Sequence, residues 1–131
     1  MNSEQADDLI AYRIGRAKET FEEALMMRRA GLWNTCANRL YYAAFYAVSA
    51  LLARHGFSSS KHTGVKSLFN QYFVKTGKMD KDAGRLYNRL FDARQEGDYM
   101  DFVYFDKNTV EPLIGQTEIF LNSICKIISD I

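Results

Sequence analysis

Asn38-Arg39-Leu40-Tyr41-Tyr42-Ala43-Ala44-Phe45-Tyr46-Ala47-Val48-Ser49-Ala50-Leu51-Leu52 decides the fold. Apart from Asn38, Arg39 and Ser49 the stretch is apolar or aromatic. Its spacing is helical: Trp33, Ala37, Leu40, Ala44, Val48 and Leu51 form one stripe, which Tyr41, Phe45 and Leu52 widen. Tyr42, Ala43, Tyr46, Ala47 and Ala50 fill most of the remaining surface. A helix apolar on nearly all sides is central to a bundle or lies at an oligomer interface. Its alanines let neighbouring helices approach closely. The apolar run from Leu40 to Ala53, bounded by Arg39 and Arg54, is shorter than the roughly 20 residues a membrane-spanning helix needs. A buried core helix from Leu32 or Asn34 to Arg54 is the reading that fits, with no membrane partner.

The same periodicity runs outward in both directions. A first helix is expected over Ser3 to Ala30. It starts at the polar Ser3, Glu4 and Gln5, carries its stripe on Ile10, Ile14, Ala17, Phe21, Ala24 and Leu25, and stops at Gly31. His55 to Ser60 reads as a loop. A short third helix spans Lys61 to Lys75, with Val65, Leu68, Phe69, Tyr72 and Phe73 inward and Gly77 beyond its end. A fourth spans Asp80 to Glu96, with Ala83, Leu86, Tyr87, Leu90 and Phe91 inward and Gly97 as its stop. A fifth starts near Asn108, where Glu111 completes a capping-box pattern and Pro112 falls in the first turn. It runs to the C-terminus on Val110, Leu113, Ile114, Thr117, Phe120, Leu121, Ile124 and Ile128. The aromatic segment Asp98 to Phe105 is expected to be a loop folded onto the bundle or onto a second subunit. The fold class is all-α: a bundle of four main helices plus one short helix, in one domain over residues 1–131.

Composition narrows the function. Seventeen basic against sixteen acidic residues give a net charge of +1, which provides no broad cationic footprint for duplex DNA. The acidic, polar N-terminus argues against a secretory signal. Cys36 and Cys125 lie in apolar helical patterns and read as reduced core residues of a cytoplasmic protein. No zinc spacing, phosphate-cradling glycine loop or nucleophile elbow occurs, so neither a metal nor another cofactor is expected.

Four residues stand out as candidates. His55 suits a helix end. His62, beside Lys61 at a helix start, suits anion binding, with a plain polar start as the simpler account. Arg39 sits inside the most apolar helix, where a guanidinium needs an acidic partner, a carbonyl array or a ligand anion, or must snorkel to solvent. Arg94 follows Leu90 by four residues and Tyr87 by seven, so it lies on the inward stripe of the fourth helix near its end. There it can satisfy terminal carbonyls or bind an anion.

The stretch from Asn38 to Leu52 resembles the second helix of HEPN-domain proteins. Lys61-His62-Thr63-Gly64-Val65 and Arg94-Gln95-Glu96-Gly97-Asp98-Tyr99 are similar to the same family's pattern, in the same order. The resemblance covers nearly the whole chain. It implies a helical bundle, commonly a homodimer, often encoded beside a minimal nucleotidyltransferase as a toxin–antitoxin pair. Some members are metal-independent ribonucleases. Their motif is Arg, a polar residue, three variable residues and His. Here Arg94 and Gln95 match, and Tyr99 stands in the histidine's place. Histidine titrates near neutrality and moves protons both ways, whereas tyrosine titrates near pH 10. Asp98 is the other candidate base. The resemblance therefore implies a homodimeric module that binds a nucleotide, an RNA segment or a nucleotidyltransferase, with weak or no catalysis. Arg39, His62, Arg94 and Gln95 would bind, and Arg94, Asp98 and Tyr99 would carry any remaining catalysis. The alternative is a metal-independent ribonuclease toxin with an altered motif.

Overall fold

The computed structural model describes residues 2–130. Among them lie five helices and no strand: α1 (Ser3–Arg29), α2 (Trp33–Arg54), α3 (His62–Phe69), α4 (Lys81–Tyr99) and α5 (Lys107–Ser129). The all-α bundle expected from the periodicity is the observed architecture, and α3 is its short helix. No helix among the described residues is long and apolar enough to cross a membrane.

α2 touches every other helix, and α1 packs along it most extensively. The cause is its composition. Both the Leu40 face and the Ala43, Ala47 and Ala50 face are buried, as expected of a helix apolar on nearly all sides. Against it lies an aromatic layer from three other elements. Tyr87 of α4 stacks on Phe120 of α5 with ring centroids 6.0 Å apart, and Phe69 of α3 meets both edge-on. Full burial of such side chains supplies roughly 1.5–3 kcal/mol each, so this layer dominates the core.

The turns follow from local chemistry. After α1, Gly31 takes a positive φ of 72°, which lets Leu32 N–H reach the Met27 carbonyl and closes the last turn. α1 starts at Ser3, as expected. Asn2 is the cap, and its side chain and that of Gln5 bond each other's backbone N–H groups at 2.9 and 3.0 Å.

Three expectations need correction. α5 is capped by Asp106, whose carboxylate accepts from the N–H and hydroxyl of Thr109. Asn108 is thus inside the helix and Pro112 lies in the second turn. α4 does not stop at Gly97 but continues to Tyr99. Gly97 serves packing instead: a Cβ there would stand 3.0 Å from Cε2 of Phe105. The third helix is α only to Phe69, and Asn70–Val74 widen into a π-helical turn. There the Asn70 amide donates to the Lys66 carbonyl and to Asn88 of α4.

The aromatic segment after α4 divides in two. Asn34, in the first turn of α2, accepts from Phe105 N–H at 2.7 Å and donates to the Val103 carbonyl at 2.8 Å. Phe105 packs on the core, while Phe102, 91% exposed, and Tyr104, 83% exposed, face solvent. Both cysteines are free. Cys36 is fully buried, and burial pushes its thiol up to about 11; Cys125 is only half-buried.

Candidate functional site

Along α4 the inward stripe runs Tyr87, Leu90, then Arg94. The helix thereby brings a guanidinium to the rim of the aromatic core, with only 12% of the side chain exposed. Nη2 donates to the hydroxyls of Tyr42, at 3.0 Å, and Tyr99, at 2.6 Å. The guanidinium carbon lies 5.7, 5.4 and 4.9 Å from the ring centres of Tyr41, Tyr42 and Tyr99. Three tyrosines therefore box the cation, partly through their π-faces. Its Nε is buried without a hydrogen bond, and the Asp98 carboxylate one turn on stands 3.4 Å away.

Behind this cluster runs a polar relay. Asp98 accepts from the Asn38 amide at 2.7 Å. The Asn38 carbonyl accepts from Nε and Nη2 of Arg39, at 2.9 and 2.7 Å. Arg39 in turn pairs with Glu23 of α1 at 3.0 Å. Because Arg39 clamps the carbonyl end of Asn38, the amide end must face Asp98. The acidic partner that Arg39 needed is thus present on another helix.

His62 opens α3 opposite Arg94. Its ring stacks on Phe45 at 4.5 Å, and Nδ1 lies 2.7 Å from the Tyr41 hydroxyl. Burial pushes that hydroxyl up to about 12, so Tyr41 keeps its proton across the physiological range. Burial, and then the charge of Arg94, hold His62 below the usual histidine value. The ring is accordingly neutral at pH 7. No side chain caps α3, so its first amides carry no side-chain bond.

Between these elements lies an open cleft of about 530 Å³, lined by Lys61, His62, Thr63, Phe91, Arg94, Gln95 and Tyr99. It unites four of the residues singled out from sequence: His62, Arg94, Gln95 and Tyr99. Asp98 lies behind Arg94. Arg39 does not line the cleft; it reaches Arg94 through Asn38 and Asp98 and through the Tyr42 ring, whose centre lies 5.2 Å from its guanidinium carbon. Sequence reasoning assigned no role to Tyr41, Tyr42 or Asn38. The available signal was the polar pair Asn38-Arg39 in an apolar helix, with Tyr42 one turn later on the Asn38 face. A larger groove of about 870 Å³ between the start of α4 and the end of α5 has no histidine or cysteine in its lining. Among the described residues no cluster of His, Cys, Asp and Glu is arranged to hold a metal ion.

A helical bundle with an arginine boxed at the end of its fourth helix defines the class, and comparison with known proteins agrees. The HEPN domain model matches residues 10–128. A UPF0332 protein of Thermotoga maritima is 42% identical over 127 residues, covering 97% of this chain and 96% of that protein. Two proteins of Methanocaldococcus jannaschii, named "Putative toxin MJ0142" and "Putative toxin MJ0605", are each 30% identical. The first alignment covers 86% of this chain and 77% of the relative; the second covers 88% and 85%. The chain belongs to the HEPN family.

Proposed function

We propose that this HEPN protein is a homodimeric binding module that holds the phosphate of a nucleotide or RNA segment at the Arg94 cleft, with weak or no catalysis. The observation that carries the reading is the boxed guanidinium. Tyr42, Tyr99 and Asp98 fix Arg94 at the wall of an open cleft, which is the arrangement a fixed anion receptor needs. Gln95 and Lys61 add donors at the rim. The exposed ring of Tyr99 offers a stacking face for a base.

Weak catalysis follows from the same contact. Tyr99 occupies the motif's histidine position, and its hydroxyl accepts a hydrogen bond from Arg94. A phenol in that role is a poor proton acceptor near neutrality. The homodimer is supported by the exposed side chains of Tyr99, Met100, Phe102 and Tyr104, more apolar surface in one short segment than a small monomer usually leaves bare. A nucleotidyltransferase is the protein partner this reading favours.

The second reading, a metal-independent ribonuclease toxin, is favoured by the names of the two archaeal relatives. Labelled mixed RNA incubated without metal, with the parent and with Arg94→Ala, separates the two. Binding without cleavage, lost in the variant, supports the module. Cleavage by the parent alone makes the protein a nuclease. Equal binding by parent and variant removes Arg94 from the function. Light scattering at micromolar concentration checks the dimer, and a monomer refutes it.

A further inference from the structure

We infer that His62 is a second contact for the ligand's phosphate, facing Arg94 across the cleft, and that it takes up a proton when the phosphate binds. The inference rests on the reading of the Arg94 cleft given above. Its first support is placement. The His62 ring lies 5.8 Å from the ring centres of both Tyr41 and Tyr42, and the guanidinium carbon of Arg94 lies 5.7 and 5.4 Å from the same two rings. The histidine and the arginine thus neighbour the same pair of tyrosines and line one cleft.

The second support is how the ring is held. Stacking on Phe45 and the bond from Nδ1 to Tyr41 fix its plane, while among the described residues no hydrogen bond engages Nε2. Tyr41 suits both charge states of the ring. Its hydroxyl donates to Nδ1 of the neutral form, which places the ring hydrogen on Nε2. When a solvent proton binds Nδ1, the hydroxyl turns and its oxygen accepts from Nδ1–H. Nε2 carries a hydrogen in both states, ready for a phosphate oxygen.

The third support is the charge around it. The groups around His62 are Tyr41 and Tyr42 of α2, in ring contact; Lys61, Arg94 and Tyr99, which line the same cleft; Asp98, behind Arg94; and Lys66, one turn on along α3. The one carboxylate among them, Asp98, is engaged by Asn38 and Arg94. An imidazolium in the empty cleft therefore meets cations and partial burial with no counter-charge, in line with the downward shift of His62. A bound phosphodiester supplies the missing anion. It lies between two cations that otherwise repel, so its binding raises the affinity of His62 for a proton. By linkage, protonation tightens the ligand equally.

The test uses the full chain and 2′-O-methyl hexauridylate, which resists cleavage and whose phosphodiester charges are constant between pH 5 and 8. The sequence has two histidines. His55, bonded to the Leu51 carbonyl and edge-on to Phe73, is the internal control. NMR titration of the imidazole Hε1 signals, assigned with His62→Gln, should show the His62 midpoint rising by about one unit with ligand while His55 stays put. Affinity should then rise about tenfold as pH falls through that range. His62→Gln, checked for an unchanged melting temperature at pH 7.5, should bind with pH-independent affinity. Binding that depends on Arg94 but leaves the His62 midpoint unmoved overturns this inference and leaves the Arg94 reading intact. No binding by the parent overturns both.

Discussion

Tyr87 and Arg94 stand seven residues apart on one face of α4, yet their surroundings are opposite. Around Tyr87 the bundle is dry: Phe69 and Phe120 enclose the ring, and its buried hydroxyl approaches that of Tyr41 without reaching hydrogen-bond geometry. Around Arg94 nearly every polar neighbour is engaged, by Tyr42, Tyr99 and Asp98 and then by Asn38, Arg39 and Glu23. Two turns of one helix therefore pass from a region held by area to one held by directed bonds. The difference predicts that the first region answers to volume and the second to chemistry.

The largest expected effect tests the dry end. Leu90→Ala, at a fully buried position, should destabilise the fold by about 2–5 kcal/mol in urea melts, with ligand affinity unchanged in the folded fraction. A ligand defect without a stability loss would break the comparison. Arg94→Ala should do the reverse. Loss of a charge-assisted phosphate contact, about 1.5–3 kcal/mol, corresponds to roughly a 10- to 150-fold weaker Kd by fluorescence anisotropy. Arg94→Lys should restore little, because a point charge cannot reproduce the guanidinium's forked donors.

Gly97→Ala sharpens the boundary. The added methyl meets the Phe105 ring at 3.0 Å, so thermal melts should show a loss of about 1 kcal/mol. Tyr87→Phe should lie within about 1 kcal/mol of the parent and tend towards stabilisation, since it removes a buried hydroxyl without a partner. A large loss would reveal a bond at the dry end. The smallest effect is a pH slope. His62 titrates lower in the fold than in the unfolded chain, so the unfolded state binds the extra proton as pH drops below about 6.5. Stability should be fully present above that pH and decline below it, and His62→Gln should flatten that part of the profile in melts at pH 5.5 and 7.5.

Much of the dry region was legible in the sequence, because helical periodicity is written locally. The stripes of α2, α4 and α5 are the buried faces. Two of the three errors fell where a residue's role depends on a distant partner. Gly97 has the composition of a helix stop, but Phe105 across the loop determines its use. Asn108 and Asp106 are both acceptable caps, and the choice turns on Thr109. The π-helical turn has no local signature; it accompanies the Asn70 bond to Asn88 and the close approach of Val74 to Gly84 of α4. At the site, Arg94 was found from its stripe and His62 from its place beside Lys61 at a helix start. Asn38, Tyr41 and Tyr42 were quoted for their pattern but given no role, since their function lies in bonds between helices. Arg39 was correctly read as needing a partner, but Glu23 on α1 could not be named from spacing along α2.

Asn34 has a consequence for how the molecule breathes. One side-chain amide ties a carbonyl and an N–H of a loop that has no ladder of its own. In hydrogen-exchange terms, the Phe105 amide should exchange more slowly than its loop neighbours, because Asn34 accepts its hydrogen. Its protection therefore depends on the first turn of α2, where Asn34 sits, so loosening that turn would free the loop's backbone along with it.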